Sequence, residues 1–205
     1  LVCSTGVIGV PLPIEKVSSG IPAAVKALGY DGIPSAGEAM MTTDAFQKLG
    51  ERRARIGGRE VVIAGLCKGA GMICPNMATM LAFFLTDADI KAPLLSEALK
   101  IAVNASFNSI IVDNDTSTND TVLAFANGMS GASEIKAGTK EFREFTALLT
   151  SLSVELAQMI VRDGEGATRL VEIEVKGAFS PQDARSAVRT IAESFLCKTA
   201  FFGGD

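Results

Sequence analysis

Residues 68–81 read Lys-Gly-Ala-Gly-Met-Ile-Cys-Pro-Asn-Met-Ala-Thr-Met-Leu, and the 205-residue chain contains no histidine. A hydroxyl nucleophile in acyl chemistry is normally activated by an imidazole, which this chain cannot supply. A threonine made N-terminal by chain cleavage carries its own base, the α-amine. The Ala78–Thr79 bond suits that event. The small side chain of Ala78 leaves its carbonyl unshielded, so Thr79 Oγ can attack it in an N-to-O acyl shift. Hydrolysis of the resulting ester frees an amine of pKa about 7.7–8.0, neutral often enough near physiological pH to deprotonate the adjacent hydroxyl. Taken alone, Thr79 is an ordinary β-former ahead of an apolar run; the missing imidazole and the residues around it give it weight.

The glycines before it do not form a nucleotide loop. The Walker pattern ends in Gly-Lys-Ser/Thr, whereas Lys68 precedes its glycines, and no third glycine completes a dinucleotide fingerprint. Gly69 and Gly71 instead let backbone N–H groups approach an anion or a strained peptide, with Lys68 adding positive charge; a plain turn with an exposed lysine is the simpler alternative. The stretch Asp113-Asn114-Asp115-Thr116-Ser117-Thr118 begins like a calcium loop, but Thr118 stands where that loop needs glycine. Asx-turn and capping chemistry accounts for it more simply. Cys3, Cys67, Cys74 and Cys197 form no Cys-x-x-Cys pair and have no histidine partners, so no metal site is expected and reduced thiols in a cytosol-like compartment are.

The elements that must position these residues come from a chain 48% hydrophobic and 20% charged, enough to bury a sizeable core. A net charge of −4 with scattered basic residues argues against a nucleic-acid face; Arg52, Arg53 and Arg55 are the densest basic cluster, and Glu51 and Glu60 flank them. The apolar stretch around Met80–Leu85 is too short to cross a bilayer, so no membrane partner is expected.

Hydrophobic periodicity predicts strands over 1–9, 38–43, 79–85, 109–112, 121–126, 170–175 and 199–202. A hairpin is predicted over 52–56 and 59–64, turned by Gly57-Gly58. Helices are predicted over 14–28, 93–107, 142–161 and 181–195, with a cap at Thr43 or Asp44 starting another. Hairpins mixed with crossovers make the fold class α+β (mixed α/β), layered sheets with packed helices. Residues 127–138 read as a loop within one fold. The chain opens on Leu1-Val2-Cys3 and stops at Gly203-Gly204-Asp205, and is read as a single piece, 1–205, of a larger catalytic fold.

The 68–81 segment resembles the autoprocessing site of the ornithine acetyltransferase (glutamate N-acetyltransferase) family of arginine biosynthesis. Four other stretches match that family in order: Ser4-Thr5-Gly6-Val7-Ile8-Gly9, Met41-Thr42-Thr43-Asp44, Asp115-Thr116-Ser117-Thr118-Asn119-Asp120, and Arg162-Asp163-Gly164-Glu165-Gly166-Ala167-Thr168. The resemblance spans the chain. It implies an N-terminal-threonine acyltransferase cut between Ala78 and Thr79, with 1–78 in an α chain and 79–205 in a β chain.

By the same resemblance Thr79 is the acetylated nucleophile, and Thr5 and Gly6 form the oxyanion hole through a hydroxyl and a backbone N–H. Thr42, Lys68, Thr79 and Glu165 match substrate-contacting positions, with Thr43 an adjacent rival to Thr42. An amino-acid substrate suits this set, since Lys68 can pair with a carboxylate and Glu165 with an ammonium.

The implied reaction moves acetyl from N-acetylornithine to glutamate, giving ornithine and N-acetylglutamate. It needs no cofactor, although some family members also take acetyl-CoA as donor. The implied assembly is a heterotetramer of α and β chains, cytoplasmic or, in a eukaryote, in an organellar matrix. The family is about twice this length, and an Asn and a Thr of its pocket lie beyond Asp205. Two other readings use the same residues: an N-terminal-nucleophile amidohydrolase or aminopeptidase with water as acceptor, and a catalytically silent domain.

Overall fold

Paired glycines begin the sheet. In the computed structural model, which describes residues 3–74 and 80–203, Gly57 (φ +60°) and Gly58 (φ +83°) turn β1 (Lys48–Ile56) into β2 (Arg59–Lys68). The antiparallel register runs unbroken from Ile56↔Arg59 to Lys48↔Cys67, so the hairpin extends at its open end beyond the predicted 52–56 and 59–64. The order is β1-β2-β3-β4, with β3 (Leu81–Thr86) antiparallel to β2 and β4 (Thr121–Ala126) parallel to β3.

A parallel step requires a crossover, supplied here by α3 (Ala92–Ala105), with Pro93 in its first turn where no N–H is needed. α4 (Lys140–Arg162) starts where the Thr139 hydroxyl accepts the Phe142 N–H at 3.2 Å. Its Phe145, Leu149, Leu152, Leu156 and Ile160 lie at helical spacing and are buried with Val61, Ile63, Ala82 and Phe84 of the sheet. Two glycines paired across strands, Gly50↔Gly65, let this helix come close. A β-carbon at Gly65 would sit 2.9 Å from Leu156 Cδ1 and 3.0 Å from Phe84 Cε1. By length and composition α4 is long and apolar enough to cross a membrane, but its apolar stripe is the core of this fold.

The architecture is α+β, as expected, and five predicted strands are absent among the described residues. Residues 38–43 do not form a strand: α2 (Gly32–Met40) takes the first half of them, with Pro34 in its first turn and Gly37 packed against Leu49. Residues 109–112 follow a 3₁₀ turn (Phe107–Ser109); the sheet position beside β3 belongs to β4, and Val112 N–H instead donates to Ile73 O at 2.8 Å. Residues 170–175 alternate but have no ladder partner. Residues 199–202 lie inside α6 (Phe195–Gly203), because Ser194 ends α5 (Pro181–Glu193) and its hydroxyl then accepts the Cys197 N–H at 3.3 Å. Residues 3–9 are likewise irregular. The predicted first helix is α1 (Ile14–Lys26); α1, α5 and α6 bury no residue.

Candidate active site

β2 ends in Lys68, on the face of the sheet opposite α4, and the strand delivers its side chain into a buried position at 2% exposure. Lys68 Nζ donates to Thr5 Oγ1 at 3.1 Å and approaches Thr42 Oγ1 at 3.5 Å. Three predicted site residues far apart in sequence therefore meet at one ammonium, and Thr42 rather than Thr43 faces it. Because the hydroxyl oxygen of Thr5 accepts from Lys68, its proton is free to be donated to an incoming oxygen. Gly6 follows Thr5 on exposed backbone. Burial pushes the Lys68 ammonium below its ordinary range, and the carboxylates of Asp44 and Asp120 pull it back.

The loop after Lys68 is held by acids that sequence reading did not assign to the site. Gly69 (φ +150°) takes a conformation side chains resist, and its N–H donates to Asp44 Oδ1 at 2.7 Å. Met72 has φ +59°, a strained value for methionine. Asp113 holds that turn: its Oδ2 accepts Met72 N–H at 2.6 Å and its Oδ1 accepts Ile73 N–H at 2.8 Å. Asp113 Oδ1 also accepts Asp115 N–H at 3.1 Å, the Asx turn expected there. Among the described residues no cluster of three or more Cys, Asp or Glu side chains could hold a metal ion.

Glu165 reaches the same loop. Its N–H donates to Ala70 O at 3.0 Å, and a β-carbon on Gly71 would sit 3.0 Å from Glu165 Oε1. Gly71 thus makes room for the carboxylate beside the loop that leads toward residue 79. Thr79 and Ala78 themselves lie outside the described residues.

Beneath the cluster Lys48, fully buried, donates to Asp44 Oδ1 and Asp163 Oδ2, each at 2.6 Å. Asp44 also accepts Thr42 N–H at 3.1 Å; Asp163, at the C-terminal cap of α4, accepts Ala45 N–H at 3.0 Å. Burial raises the Asp44 carboxyl, but Lys48 and the Gly69 and Thr42 N–H groups outweigh it and hold the group below its usual range. Lys48 also offsets what Asp163 would otherwise cost at the negative end of α4. Asp44 and Asp163 stand in the same short motifs as Thr42 and Glu165, which was the available signal. Lys48 had none.

The cysteines near the loop are poor rivals for the nucleophile. Burial pushes the Cys67 thiol up to about 12, and burial with Glu193 raises Cys74. Neither is a thiolate at neutral pH.

The family model described as ArgJ family matches residues 1–205. The chain belongs to the ArgJ family. The arginine biosynthesis bifunctional protein ArgJ of Symbiobacterium thermophilum is 53% identical over 204 residues, covering 100% of this chain and 51% of that protein. The mitochondrial ArgJ of Schizosaccharomyces pombe is 48% identical over 207 residues, covering 100% and 46%. The chain thus spans about half the length of these curated ArgJ relatives. Among solved structures, the ArgJ crystal structure from Bacillus halodurans superposes with a TM-score of 0.58 at 41% identity, over 60% of this chain and 58% of that one.

Proposed function

We propose that this chain carries the nucleophile, oxyanion hole and part of the pocket of a self-cleaving acetyltransferase of arginine biosynthesis, one that moves acetyl from N-acetylornithine to glutamate. The observation that carries the reading is the meeting of Thr5, Thr42 and Lys68 at the start of the loop that leads to residue 79. Membership of the ArgJ family supports it.

Thr79 Oγ first attacks the Ala78 carbonyl, the peptide C–N bond breaks, and water hydrolyses the resulting ester. The freed α-amine then takes the Oγ proton as Oγ attacks the acetyl carbonyl of N-acetylornithine. The Thr5 hydroxyl and Gly6 N–H donate to the oxygen that becomes negative; losing one such donor costs about 2.7–4 kcal/mol of transition-state stabilisation. The tetrahedral intermediate collapses, ornithine leaves with the proton, and acetyl remains on Oγ. The neutral amine of glutamate attacks that ester and gives a proton to the α-amine, N-acetylglutamate departs, and Oγ receives that proton from the α-amine. Lys68 pairs with the α-carboxylate that both amino acids share and Glu165 with an ammonium. Acetyl-CoA fits the same first step as an alternative donor, and the two products of cleavage remain associated, pairing further into a heterotetramer.

The test is Thr79→Ala in the full-length protein, read by mass spectrometry and acetyl transfer. The expected result is an uncut chain without transfer; full activity would overturn the reading. Saturating glutamate separates the hydrolase alternative, which would keep releasing acetate instead of forming N-acetylglutamate.

A further inference from the structure

No helix starts at Asp44, although a cap was expected at Thr43 or Asp44; its side chain, 1% exposed, turns inward and collects donors. Oδ1 accepts Lys48 Nζ at 2.6 Å and the Gly69 N–H at 2.7 Å, while Oδ2 accepts the Thr42 N–H at 3.1 Å. Gly69 directly follows Lys68. The two backbone groups held by this carboxylate therefore flank the place where Lys68 Nζ and Thr42 Oγ1 stand 3.5 Å apart.

Neutralising Lys48 does not account for Asp44. Asp163 Oδ2 already lies 2.6 Å from the same ammonium, so Asp44 places a second negative charge beside one positive charge. Desolvation offsets the attraction between buried ions, and a further buried carboxylate is a poor way to gain stability. What distinguishes the two acids is the backbone each one holds. Asp163 accepts the Ala45 N–H, whereas Asp44 grips the chain on both sides of the contact between Lys68 and Thr42.

We infer that Asp44 is a positioning residue for the carboxylate end of the substrate pocket: it fixes the Thr42 hydroxyl relative to the Lys68 ammonium before a substrate arrives. The inference rests on the substrate contacts proposed above for Thr42 and Lys68. Two polar groups already held in place spare the substrate the cost of ordering them on binding.

Donor counting separates this role from plain charge balance. A carboxylate accepts at both oxygens, but a carboxamide accepts at only one. In Asp44→Asn an oxygen kept on Lys48 and Gly69 turns an NH2 group toward the Thr42 N–H, and the flipped amide turns it toward Lys48 and Gly69. Either orientation loses a backbone anchor. In Asp163→Asn one oxygen can keep both Lys48 and the Ala45 N–H, which Oδ2 accepts at 2.6 and 3.0 Å. Both variants remove one buried negative charge beside Lys48, and only the first releases an anchor.

The experiment measures steady-state acetyl transfer from N-acetylornithine to glutamate by the full-length protein, as wild type, Asp44→Asn and Asp163→Asn. Thermal melts fix a temperature at which all three are folded. Lost uniform binding raises KM and spares kcat, so Asp44→Asn should raise KM for both amino acids about tenfold or more with kcat little changed. Asp163→Asn should keep the wild-type KM. An unshifted KM in Asp44→Asn, a fall in kcat alone, or equal KM rises in both variants would overturn the inference. Should Asp44→Asn fail to fold, amide hydrogen exchange of the substrate-free wild type decides. Slow exchange at both Thr42 and Gly69 supports anchors formed in advance, and fast exchange at either overturns them. Wild type without acetyl transfer defeats the parent reading as well, whereas an active wild type with an unshifted variant defeats this inference alone.

Discussion

Asp44 Oδ1 accepts the Gly69 N–H at 2.7 Å, which ties the segment carrying Thr42 to the first residue of the loop after Lys68. The same oxygen accepts from Lys48, and Oδ2 accepts the Thr42 N–H, so one buried carboxylate fixes the backbone at Thr42, a glycine in a conformation side chains resist, and the floor of the cluster. The geometry around Lys68 therefore depends on buried acids and a lysine outside the predicted site residues.

Replacing Lys48 tests that dependence. Lys48→Met leaves Asp44 and Asp163 buried without their shared cation, and uncompensated buried charge of this kind costs about 3–5 kcal/mol. The expected result is a matching loss in denaturant unfolding. The wild-type protein has its own acid sensitivity here. The Asp44 carboxyl is held below its ordinary 3.8, so the stability it contributes is complete above that value and drains away as pH falls through the lower folded value. Stability curves of wild type and variant should converge only as pH falls below 3.8 and through the depressed folded value of Asp44.

Gly71→Ala probes the pocket with little harm to the fold. The new methyl group would stand 3.0 Å from Glu165 Oε1 and 3.2 Å from Cδ, the end of an exposed flexible side chain that can move aside. Unfolding should change by about 1 kcal/mol or less. Displacing the proposed contact between Glu165 and a substrate ammonium should raise KM for the proposed amino-acid substrates roughly tenfold or more, which steady-state kinetics would show. An unchanged KM would remove Glu165 from the pocket.

Asp120 gives a stability signature opposite in sign to that of Asp44. Its carboxyl is raised from 3.8 to about 6, so the folded state binds the proton more tightly than the unfolded chain. The residue weakens the fold above pH 6, and that penalty is relieved as pH falls from 6 toward 3.8. Asp120→Asn should stabilise the protein at pH 7 by about 1–2 kcal/mol, discounted for solvent screening, with the gain vanishing near pH 4. Thermal melts in the uncut Thr79→Ala background keep processing from confounding the comparison.

Much of this was legible in the sequence wherever local rules and tertiary context agree. The Gly57-Gly58 hairpin and the helix start at Pro93 each follow from a short-range requirement of backbone geometry. Residues 38–43, 109–112, 170–175 and 199–202 read as strands because they are apolar or β-branched, yet a strand needs a partner, and partners are allotted by the whole sheet. Ser194 shows the opposite case, a local cap that turns an apolar run into α6.

The sequence by itself determined the chemistry on offer: no imidazole anywhere, a threonine behind a small residue, and ordered motifs that resemble one family. Those are matters of composition and order, which folding cannot alter. Only the tertiary structure decided that Lys68 would be buried against Thr5 and Thr42, that Lys48 would join Asp44 to Asp163, and that Asp120 would hold the Met80 N–H. Those pairs lie up to 115 residues apart. Each depends on how far a charge is removed from water, and desolvation is a property of packing rather than of residue order.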